Sequence, residues 1–483
     1  MIYLISALSA GLAGGLVVAV IPENRARLRN FCVLFFSVSA MILSWKVASL
    51  VFAGIKIHAA GKIGDISWSL APDPLGAVFG LIASTLWLFA AVYSIGYMSG
   101  KKKQRTYFSF FLISLSITLG VAFSGNMVAL YLFYELLTFV TYPLVIHERS
   151  PEAVKAGSKY IIYNLSGAGA ILIAIIITYS LSGNLDFSGV GTPPILAGCM
   201  GSGLNWLLLL YVAGFGVKAA IMPLHRWLPE AMVAPTPVSA LLHAVAVVYS
   251  GVYGVIRVIY SIFGHDLVKQ LQLGSILPWV AAFTILTGVI IATRQDVLKR
   301  RLAYHTISQL SYILLGAFTL QPWGLTGAVL HMISYSMLKV ILFFCAGIIS
   351  EQTGETRVSN MGGVGWSLPK TLTAFAIASM GMIGMLPLST FWSKYYLMRG
   401  SADGGIWPLA LVFVISGIIN ALCFIPTVVT AFKERKTAPS RETGSKSAFM
   451  LVPTLILAFI AVFIGLWPGS VWPGIQAVIN RFF

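Results

Sequence analysis

The stretch FGVKAAIMPLHRWLPEAMVAPTPVSALLHAVAV, residues 215–247, buries a lysine in an apolar run and then repeatedly breaks the helix that carries it. Lys218 lies too deep in this run to reach the membrane surface, and a charged side chain at mid-bilayer costs at least about 2.5–3.5 kcal/mol. Prolines free backbone groups that need water or polar neighbours inside a membrane. The combination predicts that Lys218 lies beside a hydrated pathway for protons. The helix breakers are Pro223, Pro229, Pro235 and Pro237, and the ionisable His243 follows them.

The overall composition is that of an integral membrane protein. The chain has 483 residues, of which 58% are hydrophobic and 10% are charged, and its mean hydropathy is +0.88. Soluble domains carry about 25% charged residues. Continuously apolar runs such as ILIAIIITYSL, residues 171–181, do not fit the alternating pattern of a membrane β-barrel. The predicted fold class is therefore an all-α integral membrane protein without β-strands.

Apolar runs long enough to cross a bilayer, which takes about 20 helical residues, recur along nearly the whole chain. Fourteen spans are predicted, at residues 2–21, 31–53, 72–98, 106–124, 127–146, 158–182, 204–228, 237–263, 277–293, 302–320, 324–350, 370–398, 407–432 and 449–470. The longest polar interruption is the linker 433–448, so no soluble domain is expected.

The net charge of +17 follows the loops in a way that indicates membrane orientation, not nucleic-acid binding. With the N-terminus outside, the inner loops and adjoining span ends carry 22 Lys and Arg residues, and the outer ones carry 5. Lys and Arg concentrate on the cytoplasmic side of membrane proteins. The pattern predicts a multi-pass protein of the inner (cytoplasmic) cell membrane with both termini outside. The main basic runs are KKKQR at 101–105, TRQDVLKRR at 293–301 and FKERKTAPSR at 432–441.

The cysteines and loops contain no signature of a cofactor or metal site. The four cysteines are scattered and form no CxxC pair, so no metal or iron–sulfur site is predicted. No nucleotide or haem motif stands out either, and we expect no cofactor in this chain. The first apolar stretch lacks a basic leader and is long enough to be a span, so no cleavable signal peptide is expected.

Two stretches of the chain echo each other. GVKAAIMPLHRWLPE in span 7 and GMIGMLPLSTFWSKYY in span 12 align on Pro223-Leu224 and Pro387-Leu388. The two spans lie five apart in order, so they cross the membrane in opposite directions. Broken helices in inverted repeats are the signature of a transport pathway near the midplane. We therefore predict helices 1–3 in residues 1–98, a first repeat (spans 4–8) in 106–263, an inverted repeat (spans 9–13) in 277–432 and a last helix at 449–470.

Glu135, in LYLFYELLTFVTYPL, is the only acidic residue squarely inside a predicted span. It is therefore the one carboxylate that can pair with Lys218 within the membrane. An ion pair in a low dielectric is stable while paired and costly when separated. A proton or ion arriving nearby can then open and close the pair, which would act as a switch. The alternative is a static structural ion pair.

A second group of ionisable residues follows in spans 11 and 12. His331, Tyr335 and Lys339 are spaced at i, i+4 and i+8, so they form a polar stripe on one helix face. Such a stripe suits a hydrated relay between two lysine sites. Lys394 follows the second proline break and is the candidate exit residue, although it lies near enough to the span end for snorkelling to be the alternative.

Three further polar residues lie in the apolar spans 8 and 10. His243 occurs in LLHAVAVVYSGVY, and His305 occurs in AYHTISQLSY with Gln309 one turn later. Each is either a relay group or one side of an interhelical hydrogen bond. Lys46, alone in span 2, is expected to be structural or to face a partner.

Several of these motifs together resemble one family. They are FYELLT around Glu135, GVKAAIMPLHRWLPEAMVAPTPVSALLH around Lys218, AYHTISQLSY, LHMISYSMLKVILFFCAG and GMLPLSTFWSK ending at Lys394. The chain is similar over nearly its whole length to the antiporter-like subunits shared by respiratory complex I, Mrp-type cation/proton antiporters and membrane-bound hydrogenases. The resemblance implies 14 helices with inverted repeats and a function in moving protons, with sodium as the alternative ion.

The resemblance also implies roles for individual residues. Glu135 and Lys218 would form the coupled pair, while His331, Lys339 and Lys394 would form the relay and exit. Many family members carry a lysine in span 8 where this chain has Tyr249, so His243 or Tyr249 with water would have to replace it.

The expected partners are other membrane subunits and, on the inner side, iron–sulfur or flavin redox subunits. The chain would then be an ion-translocating subunit of an oxidoreductase complex, with no redox centre of its own. Two alternatives remain open at this point. One is a non-pumping membrane platform for redox subunits, which the missing span-8 lysine favours. The other is a stand-alone cation/proton exchanger.

Overall fold

The protein is a multi-pass membrane protein built almost entirely of α-helices. The computed structural model describes residues 1–64, 66–187, 193–433 and 445–483. Within these ranges, 11 helical segments are long and apolar enough to cross a membrane. The first ten helices are α1 (Ile2–Val20), α2 (Ala26–Phe52), α3 (Pro74–Met98), α4 (Gln104–Ala122), α5 (Met127–Val145), α6 (Pro151–Ser182), α7 (Gly203–Lys218), α8 (Trp227–Glu230), α9 (Thr236–Ala244) and α10 (Val247–Arg257).

The second half of the chain continues the helical pattern. A π-helical turn, Val258–Phe263, extends α10. The remaining helices are α11 (His265–Gln270), α12 (Gln272–Thr293), α13 (Leu298–Phe318), α14 (Pro322–Thr353), α15 (Val364–Ser367), α16 (Pro369–Ile383), α17 (Ser389–Asp403), α18 (Pro408–Phe432), α19 (Ser445–Leu466) and α20 (Trp472–Phe482).

Local sequence signals explain where several spans begin. Asp73 caps α3 by accepting a hydrogen bond from the Gly76 amide at 3.0 Å, and a proline occupies the first helical position. Asn126 caps α5 in the same way, because its side chain accepts from the Ala129 amide at 2.8 Å. Polar residues at these span ends satisfy amide groups that have no partner within the helix.

The expectation that the chain contains no strand is wrong for one loop. Residues Ala59–Ile63 (β1) and Ile66–Leu70 (β2) pair as an antiparallel hairpin with Ala59 opposite Leu70. The hairpin lies in the loop between α2 and α3, where the chain is not bound to the helical geometry of a span. A pair of five-residue strands is too short to stand out from an apolar background in the sequence.

The two spans that carry the matching Pro-Leu motifs are interrupted, as their sequences predict. Helix α7 ends at Lys218, and the next helix begins only at Trp227. Helix α16 ends at Ile383, and α17 begins at Ser389. In each interruption the X–Pro peptide bond, Met222–Pro223 or Leu386–Pro387, is cis.

A third break was not predicted. Span 8 was expected as one continuous helix over 237–263, but α9 ends at Ala244 and α10 begins at Val247. Neither glycine nor proline occupies the junction, Val245-Ala246, so the sequence carries no breaker signal there. The break lies directly after His243, which is one of the predicted relay residues.

The helices nearest the centre of the molecule carry most of the predicted relay. Every residue of the segment Thr236–Phe263 is buried, and so are nearly all residues of α14. These two segments hold His243, Tyr249, His331 and Lys339. By contrast, α1 and α2 expose many large apolar side chains, as helices at the lipid boundary do.

A charged cluster fastens the C-terminal helix α20 to the start of α3 and the end of α10. The Arg257 guanidinium donates to both Asp73 oxygens, at 2.6 and 2.5 Å, and Arg481 of α20 donates to Asp73 Oδ2 at 3.2 Å. Burial raises the pKa of the Asp73 carboxyl, but the two arginines outweigh it and lower that pKa to about 2. The cluster is therefore ionised at neutral pH.

Acidification is expected to loosen α20 through this cluster. Because the folded-state pKa of Asp73 lies below its unfolded value of about 3.9, its contribution to stability is complete above that value. It is lost as the pH falls through 2, and the total loss of about 2.6 kcal/mol is complete only below both pKa values. The protection factor of the α20 amides, which is the exchange rate corrected for its intrinsic pH dependence, should fall over this range. An Asp73→Asn variant should be less protected than the parent at neutral pH and show no such transition. An unchanged exchange profile in the variant would contradict the assignment.

Candidate functional site

Lys218 is the last residue of α7 and is completely buried. Its ammonium donates a hydrogen bond to the backbone carbonyl of Tyr134 in α5 and lies 3.4 Å from the centroid of the Tyr134 ring. An aromatic face stabilises a desolvated cation. The break beyond Lys218 is fixed by Trp227, whose indole N–H donates to the Val217 carbonyl at 2.8 Å. The lysine is thus held at a broken helix end by backbone and aromatic groups.

Glu135 is close in sequence to this contact but is not in an ion pair with Lys218. Among the described residues, no ion pair within 4.0 Å includes either side chain. Glu135 is half-buried, and its Oε2 atom has no hydrogen-bond partner. The two side chains therefore lie beyond ion-pair distance here, and the ammonium donates to the neighbouring Tyr134 carbonyl instead. Coupling between Glu135 and Lys218 stays a prediction.

His243 and Lys339 both lie beside the ring of Phe343. The His243 ring centroid is 5.4 Å from that of Phe343, and the Lys339 ammonium is 5.4 Å from the same ring. Both ring nitrogens of His243 are buried without a hydrogen-bond partner. An unpartnered imidazole at a helix break has room to change its contacts, which a hydrogen-bonded packing histidine has not.

Tyr249 occupies the place where related sequences were expected to carry a lysine. Its hydroxyl donates to the Met332 carbonyl of α14 at 3.1 Å, directly beside His331 in the sequence. This contact ties α10 to the central helix. A phenol carries no positive charge, so Tyr249 could replace a lysine only through its hydroxyl and water, and this role stays a prediction.

Lys339 approaches His305 in the N-terminal half of α13. The Lys339 ammonium donates to the Leu302 carbonyl, one turn before His305. His305 is fully buried, its Nε2 atom lies 3.2 Å from Cys423 Sγ, and its ring stacks on Phe424 with centroids 4.5 Å apart. His305 thus faces α18 and stands next to the carbonyl that holds Lys339.

His331 connects the relay stripe to α13 and α17. Its Nδ1 atom lies 2.8 Å from Ser393 Oγ, and its Nε2 atom lies 3.1 Å from Gln309 Oε1. The His331 and Tyr335 rings stack with centroids 5.7 Å apart, and the Lys339 ammonium is 5.8 Å from the Tyr335 ring. The predicted stripe of three polar residues on one face of α14 is therefore confirmed.

Lys394 points into the protein and not towards the membrane surface. Its ammonium donates to the Met382 and Ile383 carbonyls, at 3.0 and 2.7 Å, and only 7% of the residue is exposed. These carbonyls end α16, where the helix dipole favours a cation. The Tyr312 ring lies 5.4 Å from the ammonium and also stacks on His331 with centroids 5.3 Å apart. Lys394 is thus separated from the relay by one aromatic ring.

Substituting Gly384 is expected to displace Lys394. Gly384 has φ +93°, and an added Cβ would lie 2.8 Å from Cδ and 2.9 Å from Nζ of Lys394. We expect Gly384→Ala to lower proton transport several-fold, because the ammonium must leave the carbonyls of α16. Gly405→Ala is the matched control, since Gly405 also has positive φ (+74°) but no atom within 4 Å of an added Cβ. Equal transport rates for both variants in vesicles would contradict the role of this contact.

Four contacts of the predicted residues were not anticipated from the sequence. Tyr134 and Ser393 are sequence neighbours of Glu135 and Lys394, so proximity alone could have suggested them. Tyr312 lies in AYHTISQLSY, at i+7 from His305 and hence on the same helix face. Cys423 carried no signal, because it comes from a helix distant in sequence.

Two family models match this chain. The model described as NADH:quinone oxidoreductase/Mrp antiporter, TM, matches residues 124–420. The model described as NADH-Ubiquinone oxidoreductase (complex I), chain 5 N-terminus, matches residues 60–108. The first covers more than half of the chain and includes all the candidate residues from Glu135 to Lys394.

Curated relatives agree with these matches. NADH-quinone oxidoreductase subunit N of Desulforudis audaxviator is 33% identical over 418 residues, which cover 82% of this chain and 82% of that protein. Subunit L of Mycobacterium tuberculosis is 31% identical over 414 residues, which cover 83% of this chain but 63% of that longer protein. A Na(+)/H(+) antiporter subunit of Bacillus subtilis is 25% identical over 466 residues, which cover 95% of this chain and 92% of that protein.

Two solved structures share the fold. A chain of the Mrp complex from Dietzia sp. DQ12-45-1b superposes with a TM-score of 0.86 at 21% identity, covering 99% of this chain and 96% of that one. A chain of the membrane-bound sulfane sulfur reductase, an archaeal respiratory membrane complex, gives a TM-score of 0.87 at 23% identity, covering 99% and 97%.

Proposed function

Because the chain belongs to the membrane-subunit family of NADH:quinone oxidoreductases and Mrp antiporters, we propose that it translocates protons as one subunit of a larger membrane assembly. The observation that carries this proposal is the set of ionisable side chains inside the spans, buried except for the half-buried Glu135. In chain order the set contains Glu135, Lys218, His243, His305, His331, Lys339 and Lys394.

The cost of these residues argues for a function. Lys218 and Lys339 are completely buried, and Lys394 nearly so, in helices whose surroundings are mainly apolar. Each such lysine costs at least about 2.5 kcal/mol at mid-bilayer, so ionisable residues there usually mark ion pathways or proton relays. Each ammonium is held by backbone carbonyls or rings and not by a carboxylate. Such contacts hold the lysine in both charge states, as a proton carrier requires.

The proposed architecture is 14 spans with two inverted repeats, in 106–263 and 277–432. Eleven helical segments qualify as spans by length and composition. The other three proposed spans do not qualify, for physical reasons. The spans α7–α8 and α16–α17 are interrupted by their breaks, so neither contains a helix of sufficient length. Helix α13 begins with the basic residues Lys299, Arg300 and Arg301. The placement of a broken helix fourth in each five-span repeat supports the inverted symmetry.

The proposed direction follows the charge asymmetry of the loops. Both termini would lie on the outer side of the inner (cytoplasmic) cell membrane. A proton would then enter from the cytoplasmic side and load Lys218 under the influence of Glu135. It would cross by way of Lys339 and His331 and leave outwards by Lys394. Partner subunits would drive the transfer by displacing Glu135, whose half-exposed position on α5 suits contact with a neighbour.

One observation favours a second candidate function, a non-pumping platform for redox subunits. Tyr249, bonded to a backbone carbonyl, stands where a central lysine would otherwise bridge the two halves. In a pump of this design, His243 would bridge that gap, since its nitrogens are unpartnered and its ring lies beside Phe343, which also lies beside the Lys339 ammonium. Replacing His243 by phenylalanine should therefore stop transport in a pump and leave a platform unaffected.

Identification of the partners tests the subunit assignment directly. The protein would be purified from native membranes in a mild detergent, and every chain that co-purifies would be identified by mass spectrometry. Iron–sulfur or flavin subunits would indicate a redox-driven pump, and small hydrophobic antiporter subunits an Mrp-type exchanger. A protein that purifies alone would contradict the proposal and support a stand-alone exchanger.

A further inference from the structure

Helix α18 presents a row of polar side chains to the interior that the proposed relay does not use. Ser416, Asn420, Cys423 and Thr427 follow one another at about one turn, so they lie on a single helix face. Each is buried to 2% exposure or less. The opposite face of α18 carries exposed leucine, isoleucine and valine, as expected at the lipid boundary. The row therefore points away from lipid.

The row faces α13 in an antiparallel register. Arg301 donates to Thr427 Oγ1 at 2.6 Å, and one turn further His305 meets Cys423 at 3.2 Å. A step of four residues towards the C-terminus on α13, from Arg301 to His305, corresponds to a step of four residues towards the N-terminus on α18, from Thr427 to Cys423. At the far end the Tyr312 ring packs on Phe413, with centroids 4.9 Å apart. The same register places Ser416 opposite Tyr312. It places Asn420 at a level between Tyr312 and His305.

Several polar atoms along this contact face one another without a hydrogen bond of normal length. Both amide atoms of Asn420 and the Nδ1 atom of His305 form one such group, and Ser416 Oγ and the Tyr312 hydroxyl form the other. Buried polar atoms in folded proteins are bonded to protein or to ordered water. A buried water needs two to four polar neighbours, which this contact supplies at successive turns. From these atoms we infer that α13 and α18 enclose a file of water molecules, here called the α13–α18 water file.

The water file would lead from the inner membrane surface to the relay. Its inner end lies at Arg301, near the start of α13, and its far end reaches Tyr312, whose ring touches both His331 and Lys394. Lys339 joins it midway, through the Leu302 carbonyl beside His305. It forms a second inward branch of the pathway, separate from Lys218. Its role in proton transfer rests on the proposed function, whereas its hydration does not.

Arg301 closes the inner end. Its guanidinium donates to Thr427 Oγ1, to the Gln295 carbonyl at 2.8 Å and to the Cys423 carbonyl at 3.4 Å, so it bridges α13 to α18. A fixed positive charge at the mouth of a water-filled passage repels protons and other cations. Arg301 therefore keeps the file from leaking protons while the relay is loaded.

Cysteine labelling tests the water file without relying on transport. One variant would keep Cys423 alone and a matched control would keep Cys345 alone, each with the other three cysteines replaced by serine or alanine. Inside-out vesicles holding the assembled protein would be treated with a membrane-impermeant trimethylammonium methanethiosulfonate. We expect Arg301→Ala to speed labelling of Cys423 at least tenfold and leave Cys345 unlabelled. Unreactive Cys423 after Arg301→Ala, or equal labelling of both cysteines, would overturn the inference.

Proton leak provides a second measurement. Vesicles with Arg301→Ala should lose an imposed pH gradient several-fold faster than the parent protein, and adding Asn420→Leu should restore the slow rate by filling the file with an apolar side chain. The leak should persist when Lys218→Ala is also present, because the branch bypasses Lys218. If labelling and leak behave as expected while Lys218→Ala leaves transport intact, the water file stands and the proposed function fails. A leak that Asn420→Leu does not slow would overturn the file.

Discussion

Replacing Lys218 by alanine is expected to reduce proton transport at least tenfold while leaving the protein folded and assembled. The substitution removes a fully buried cation that no carboxylate neutralises within ion-pair distance among the described residues. The alanine variant loses one hydrogen bond to the Tyr134 carbonyl and one cation–π contact, which destabilises the folded protein. It also no longer has a buried ammonium to desolvate, which stabilises the folded protein. The effects on stability therefore oppose each other, whereas transport loses its first proton carrier.

Transport would be measured as acidification or alkalinisation of vesicles that hold the assembled protein, with its amount checked by immunoblot. Lys46→Ala is the matched control, because Lys46 is also a lysine within a span but is exposed on α2. It should leave transport unchanged unless a partner subunit contacts it. Full transport by Lys218→Ala, with the protein intact, would refute the pump and favour the platform.

Gly251→Ala is expected to destabilise the same break from the side of α10. A Cβ at this position would overlap the Ala219 amide nitrogen and lie 2.8 Å from the Lys218 carbonyl carbon. Backbone atoms cannot rotate away as a side chain can, so α10 must shift from the broken end of α7. Overpacking of this kind typically costs about 1–3 kcal/mol, and the shift should also lower transport because it moves Lys218.

The measurement is the thermal unfolding midpoint of the purified protein in detergent, beside the transport rate in vesicles. Gly169→Ala in α6 is the matched control, since an added Cβ there meets no atom within 4 Å. Alanine at an unhindered helical position is neutral or stabilising. A Gly251→Ala protein as stable and active as the Gly169→Ala protein would show that α10 tolerates the shift and that the close approach is not needed.

The sequence by itself determined the membrane class, most of the spans and the two proline breaks. These features depend on local composition: an apolar run must be helical in lipid to satisfy its backbone, and a proline inside a helix removes a hydrogen bond and so kinks or breaks it. The stripe of His331, Tyr335 and Lys339 was equally predictable, because helical geometry fixes which residues of one helix share a face. Each of these properties depends only on the residues of one helical segment.

Only the tertiary structure decided what each buried group contacts. Lys218 reaches a carbonyl 84 residues away in the chain, and His305 faces a cysteine 118 residues away. No spacing rule within one helix predicts such partners, and Glu135 and Lys218, expected as a direct pair, lie beyond ion-pair distance. The break after His243 likewise has no local breaker residue. Packing between helices, not the propensity of any one segment, sets these features.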